Sequence, residues 1–204
     1  MPDAQADTAP EPADVTRARL MEALANLIEQ RGYGSIAVVD IVRVAHASKR
    51  TFYAQFANKQ ECYLAMLQTQ TDSLIAQIRA AVDEDAPWPQ QLRQAISAYV
   101  TSLANRPHIA LSWIRDLPAL GGSARPAQRR NYSELANLIT ELSTNAGFAR
   151  AGLPPLTNAK AVVLLGGLRE LAAQTVEDGL DLDSIVEPAT DIAIAVLQSG
   201  ATAG

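Results

Sequence analysis

The sequence predicts an all-α protein of about nine helices, and three observations predict it. Over most of the chain after Val15, large apolar residues recur three and four positions apart, the spacing that lines one face of a helix. Alanine and leucine are plentiful while aromatic residues make up only 5% of the 204, a balance that favours helix. The breaks between the periodic stretches fall where proline and glycine gather, at Pro107, at Pro118 with Gly121 and Gly122, from Gly147 to Pro155, and at Gly179. The organisation expected is a tail over 1–14, a three-helix segment over 15–60, and a larger helical part over 61–204.

Residues 1–14 contain three prolines and four acids with almost no apolar bulk, so they are expected to be disordered. A first helix is expected from about Val15 to Arg31, with Leu20, Leu24, Leu27 and Ile28 as its buried stripe. Thr16 or Asp14 is a candidate cap, and Gly32 is the stop. Arg17 and Arg19 would lie in the first turn, where the helix dipole disfavours cations by a few tenths of a kcal/mol, and a phosphate would offset that.

Two short helices and a tight turn follow between Ile36 and Phe56. Val38, Ile41, Val42 and Ala45 share one face. Ser48 suits an N-cap, and Phe52 and Phe56 form an inward i, i+4 pair. Lys49, Arg50, Thr51 and Tyr53 are left pointing outward. A short helix with an aromatic inner face and a basic, hydroxylated outer face suits reading of a DNA major groove. The next helix opens at Asn58, with Glu61 at capping-box spacing, and puts Lys59 at a helix start facing a candidate phosphate.

Through Asp40-Ile41, Ala45, Ser48-Lys49, Thr51-Phe52-Tyr53, Phe56, Lys59 and Glu61, the chain resembles the tetracycline-repressor-like (TetR) family over roughly residues 15–65. The resemblance implies an N-terminal helix-turn-helix domain and a C-terminal ligand-binding and dimerisation domain. It also implies a homodimer joined through the last two long helices on a palindromic double-stranded operator. The implied function is repression relieved by a small-molecule effector. DNA contacts are then expected from Arg17, Ser48, Lys49, Arg50, Thr51, Tyr53 and Lys59. Three positions depart from the family pattern. Ala37 replaces the usual Thr or Ser cap, with Ser35 as a candidate substitute. His46 replaces the usual turn glycine, and Arg50 replaces a frequent glycine. At Arg50 the guanidinium is long enough to reach guanine O6 and N7.

Charge supports one basic end. From Val15 to Gln60 there are seven basic and three acidic residues, a net of +4, which leaves −9 elsewhere against a total of −5. No apolar run approaches the ~20 residues of a membrane span. One cysteine, Cys62, fits a reducing cytoplasm and is expected to be a packed small hydrophobe. One Cys and two His far apart exclude an ordinary structural zinc site. No phosphate loop or catalytic carboxylate pair appears, so neither a cofactor nor an enzymatic activity is expected.

Beyond Pro89 five helices are expected, near 89–104, 107–116, 124–147, 158–178 and 185–198. Tyr99, Leu103, Trp113 and Leu117, together with Tyr132, Leu135 and Leu138, mix apolar bulk with a few polar groups, as small-molecule sites do. Leu164, Gly167, Leu168 and Leu171 lie on one broad apolar helix, and Ile192 and Val196 on the next, which Ser184 and Glu187 would cap. Two such faces call for a two-fold four-helix interface. The competing reading is a helical carrier or enzyme with a vestigial helix-turn-helix. Such a protein would lose the basic and hydroxyl groups that residues 48–59 retain.

Overall fold

The protein is described by a computed structural model over residues 13–198, so the expectation for the tail lies almost wholly outside the described residues. Among these residues there are ten α-helices, three short 3-10 turns and no strand. The helices are α1 (Ala13–Arg31), α2 (Val38–Val44), α3 (Lys49–Gln55), α4 (Lys59–Ala81), α5 (Trp88–Asn105), α6 (Pro107–Ala119), α7 (Arg125–Leu142), α8 (Ala146–Arg150), α9 (Asn158–Glu177) and α10 (Val186–Gln198). The chain divides into two compact units, the first ending at Met66 and the second starting at Leu67, so α4 begins in one and ends in the other.

In the first unit α1, α2 and α3 pack on one another. Leu20, Leu24, Ile28, Ile41, Phe52 and Tyr63 have no exposed surface and form the core. Phe52 and Phe56 meet at 5.7 Å between ring centroids, as their i, i+4 spacing requires. Cys62 is fully buried here, and burial pushes its thiol up to about 12, which makes it a hydrophobe rather than a redox group.

The starts of two helices are capped differently from expectation. α1 is already helical at Ala13, so Thr16 is a buried residue inside it rather than its cap. At α2, Ser35 turns back and donates to the carbonyls of Arg31 and Gly32. The work is done instead by Asp40, whose carboxylate accepts from the Ala37 N–H at 3.0 Å. This keeps the reciprocal half of a capping box although the N-cap side chain is a methyl. That backbone bond, with help from Arg31 and Arg43, holds the Asp40 carboxyl below its ordinary value.

In the second unit α5 packs on α10, while α9 packs on α6 and α7. The segment expected as one helix over 124–147 is two, which raises the number of α-helices from nine to ten. The ladder ends at Ser143 because its hydroxyl donates to Thr140 O at 2.6 Å and accepts from Leu156 N–H at 2.8 Å. Asn145 then bonds the buried Gln91, which itself donates to the carbonyls of Glu84 and Ala86. Gly147 sits inside α8, where its N–H reaches Glu84 O at 3.3 Å. A Cβ there would lie 2.1 Å from Ala86 O, so only glycine permits this approach. The Ser184–Glu187 cap does not form. Ser184 donates to Asp181 O within a 3-10 turn, and Glu187 pairs with Arg93 on α5.

Candidate nucleic-acid interface and apolar cavity

The turn between α2 and α3 is a Schellman closure. Ala47 N–H donates to Val42 O at 2.8 Å and His46 N–H to Arg43 O at 3.3 Å. The geometry needs a left-handed residue at position 46, and His46 takes it with φ +48°. The chain then reverses into α3, where Ser48 is extended and its hydroxyl accepts from Thr51 N–H at 3.0 Å. The Ser48 and Thr51 hydroxyls also share a 2.8 Å hydrogen bond. Phe52 is therefore fixed inward with no exposure, while Tyr53 beside it is 57% exposed. Lys49 and Arg50 are exposed in the same turn. This leaves one short basic face on a helix whose position is set by a cap and two buried rings.

Arg17 and Lys59 have other employment. The Arg17 guanidinium lies 4.2 Å from the Phe56 ring centroid and donates to Gln55 O at 2.8 Å. It thus satisfies a carbonyl at the C-terminal end of α3, where a cation is favoured by the dipole. Lys59 donates to Tyr33 O at 3.0 Å and Ile36 O at 2.7 Å, and its ammonium lies 4.0 Å from the Tyr33 centroid. Both were expected to meet phosphate from helix starts. In the structure each braces the unit that presents α3. Glu61 keeps its expected place, receiving a bond from Ala57 N–H while its own N–H donates to Asn58 Oδ1.

The second unit carries a half-open apolar cavity of about 540 Å³, within the range of small-molecule sites. Its walls come from α5, α7, α9 and α10, with Ile78 of α4 and Phe148 of α8 also lining it. Tyr99, Leu135 and Leu138 line it as expected. Leu103, Trp113, Leu117 and Tyr132 do not. Leu103 and Trp113 border a separate small cleft, and Leu117 is packed at 1% exposure. The Tyr132 hydroxyl is instead bonded to Val162 O. Leu164, Gly167, Leu168, Leu171, Ile192 and Val196, expected at a dimer interface, all border the cavity. Sequence reasoning missed the α5 contribution of Leu92 and Ile96, although they stand with Tyr99 at helical spacing, which was the available signal.

Most polar groups on the cavity wall are already satisfied. Gln91 and Ser143 are bonded as described above, and Glu170 receives Arg115 from α6 at 2.8 and 2.9 Å. Those bonds hold the Glu170 carboxyl down to about 2. Among the described residues the Tyr99 hydroxyl finds no hydrogen-bond partner.

Residues 20–66 match the family described as "Bacterial regulatory proteins, tetR family". Over 88 residues it is 34% identical to the HTH-type transcriptional activator FasR of Mycolicibacterium smegmatis, a match covering 43% of this chain and 40% of FasR. It is 27% identical over 93 residues to the HTH-type regulator YxbF of Bacillus subtilis, covering 45% of this chain and 24% of YxbF. The matches thus span less than half the length of these curated relatives. Among solved structures, the fatty acid degradation regulator FadR of Bacillus halodurans superposes with a TM-score of 0.76 at 19% identity, covering 91% of this chain and 96% of that one. FadR of Bacillus subtilis in complex with stearoyl-CoA gives 0.76 at 18%, covering 86% and 96%. At these identities the likeness establishes a common fold.

Proposed function

We propose that this protein is a DNA-binding transcription regulator, acting as a homodimer, whose hold on DNA is set by an apolar effector in the cavity of the second unit. The observation that carries the reading is the outward face of α3. Lys49, Arg50 and Tyr53 stay exposed on a helix that is capped by Ser48 and seated by a fully buried Phe52. Ser48 and Thr51 complete the face nearest the groove. A vestigial reader would have no use for that arrangement. Two such helices in a dimer need to sit roughly 34–36 Å apart to enter successive major grooves.

The effector site is the 540 Å³ cavity. α4 starts in the DNA-binding unit and its Ile78 borders the cavity, so an effector that prefers one α4 position shifts the population able to bind DNA. The regulator FadR of Bacillus subtilis, which shares the fold, was solved with stearoyl-CoA, in line with an aliphatic effector here. Repression is the sign that the family resemblance implies, whereas FasR is named an activator. The sign follows from where the operator lies relative to the promoter, and both signs use the same contacts.

The test is binding of the purified protein to DNA from upstream of its own coding region, followed by fluorescence anisotropy at several salt concentrations. A steep log–log fall of affinity with salt is expected, because exposed cations displace counterions from phosphate. A flat plot rules the reading out.

A further inference from the structure

The residues that both line the cavity and are exposed to solvent lie on two helices. They are Val163, Gly167, Glu170 and Gln174 of α9 and Ile192 of α10, whereas every lining residue from the other elements is buried or half-buried. The α9 residues recur three and four positions apart, so they form one stripe, about 16 Å long at 1.5 Å per residue. The cavity therefore opens along α9 and α10, through a mouth long enough to admit an extended chain.

The polar side chains of the wall have little to offer a ligand. Gln91 and Ser143 are saturated by the partners described above. The Tyr99 hydroxyl has almost no accessible surface, so a molecule in the cavity does not reach it. Gln174 donates to Glu170 at 3.2 Å. Among the lining residues Glu170 alone carries a charge, and it stands at the mouth. Its two carboxylate oxygens receive Arg115, which also donates to Glu177 at 2.7 and 3.0 Å. One guanidinium thus serves two carboxylates. Arg169 is held against rings, 4.8 Å from the Trp113 centroid and 5.1 Å from that of Tyr132, and does not line the cavity. Lys160 stands one turn before Val163 on the same stripe and does not line it either.

An anionic ligand meets two obstacles here. At the mouth its charge faces the Glu170 carboxylate, which the Arg115 bonds keep ionised. Drawn inside, it sheds water and finds no cation on the wall, which is costly for an unpaired charge. A hydrocarbon chain meets neither obstacle and gains from the burial of its own surface.

We infer that the cavity takes an uncharged lipophile, held by apolar burial alone, and discriminates against an anion of the same chain length. This rests on the reading of the cavity as the effector site and adds the charge class of the effector.

The purified full-length chain is to be titrated at about pH 7 with decan-1-ol, methyl decanoate, decanoate and decyltrimethylammonium, each below its micelle-forming concentration. Affinity is read by calorimetry and by the rise in melting temperature. The two neutral probes should bind alike, and decanoate about tenfold more weakly or worse. Glu170→Gln removes the charge at the mouth and frees part of Arg115. It should bring decanoate to within about threefold of decanol and leave both neutral probes within about twofold of the parent, a split by ligand charge that a purely structural glutamate would not produce. Ala189→Phe adds a ring to the half-buried α10 wall and should weaken every probe that binds. Unchanged affinities in that variant place the binding elsewhere and overturn the inference. Decanoate binding as tightly as decanol also overturns it while the effector cavity stands, and loss of that binding in Lys160→Met would name Lys160 as the anion's partner. Decyltrimethylammonium binding more tightly than decanol overturns it in favour of a cationic effector. If no probe raises the melting temperature, the effector reading itself fails.

Discussion

At residue 46 an imidazole-bearing backbone occupies the left-handed region, where glycine would be free of strain. His46→Gly is expected to raise the stability of the first unit by about 1 kcal/mol, read from urea unfolding. Gly147→Ala should do the opposite. Its Cβ would meet Ala86 O at 2.1 Å, and the backbone on both sides is fixed by Gln91 and Glu84. A loss of about 2–4 kcal/mol is expected in the same assay, the range of overpacked or strained buried sites. On the DNA face, Arg50→Ala should cost ~1–3 kcal/mol at the operator and relax one base pair per half-site, checked by selecting bound sequences from random DNA. Lys59→Ala should also lower the melting temperature, since it abandons two carbonyls. The sequence carried His46, Ser48, Phe52 and the outward basic residues openly, because their roles are decided within one turn of helix. The intramolecular partners of Arg17 and Lys59 were illegible because they lie 38, 26 and 23 residues away, and a cation at a helix start reads the same whatever it meets.

For the helices themselves, existence and type followed from periodicity, and the misplacements came where side chains take over backbone partners. Ser143 ends α7 by bonding the distant Leu156 N–H, which no local rule anticipates. α2 is seven residues long and depends on its cap, which is the Asp40 carboxylate. The Ala37 N–H, then the nearby arginines, lower that carboxyl in the folded state. A lowered folded value means the ionised form stabilises. The contribution is whole above about pH 4, the unfolded value, and is lost as the pH falls through the folded one. Asp40→Asn should therefore be less stable than the parent at pH 7, with the gap closing on acidification towards pH 2. A gap that stays constant across that range would remove the cap from the account.

In the molecule as a whole, the residues expected at a dimer interface also border the cavity. Gly167 has no atom within 4 Å of a Cβ built on it, so the glycine is not required by packing inside the chain. Val163 and Ile192 near it are 68% and 58% exposed. A second copy of the chain is the occupant proposed for this strip, and Gly167→Leu is expected to give a monomer in sedimentation equilibrium while leaving the helix content intact. Residues of α9 and α10 were assigned to that interface alone, since periodicity tells which face is apolar but not how many things the face serves. Val163, Gly167 and Ile192 also border the cavity. Pairing of two copies over this strip would couple the two equilibria. Whatever factor the occupied cavity applies to the subunit dissociation constant, subunit pairing applies to the effector's affinity. The potency of the effector would then depend on how much of the protein the cell contains, and dilution alone would retune the response.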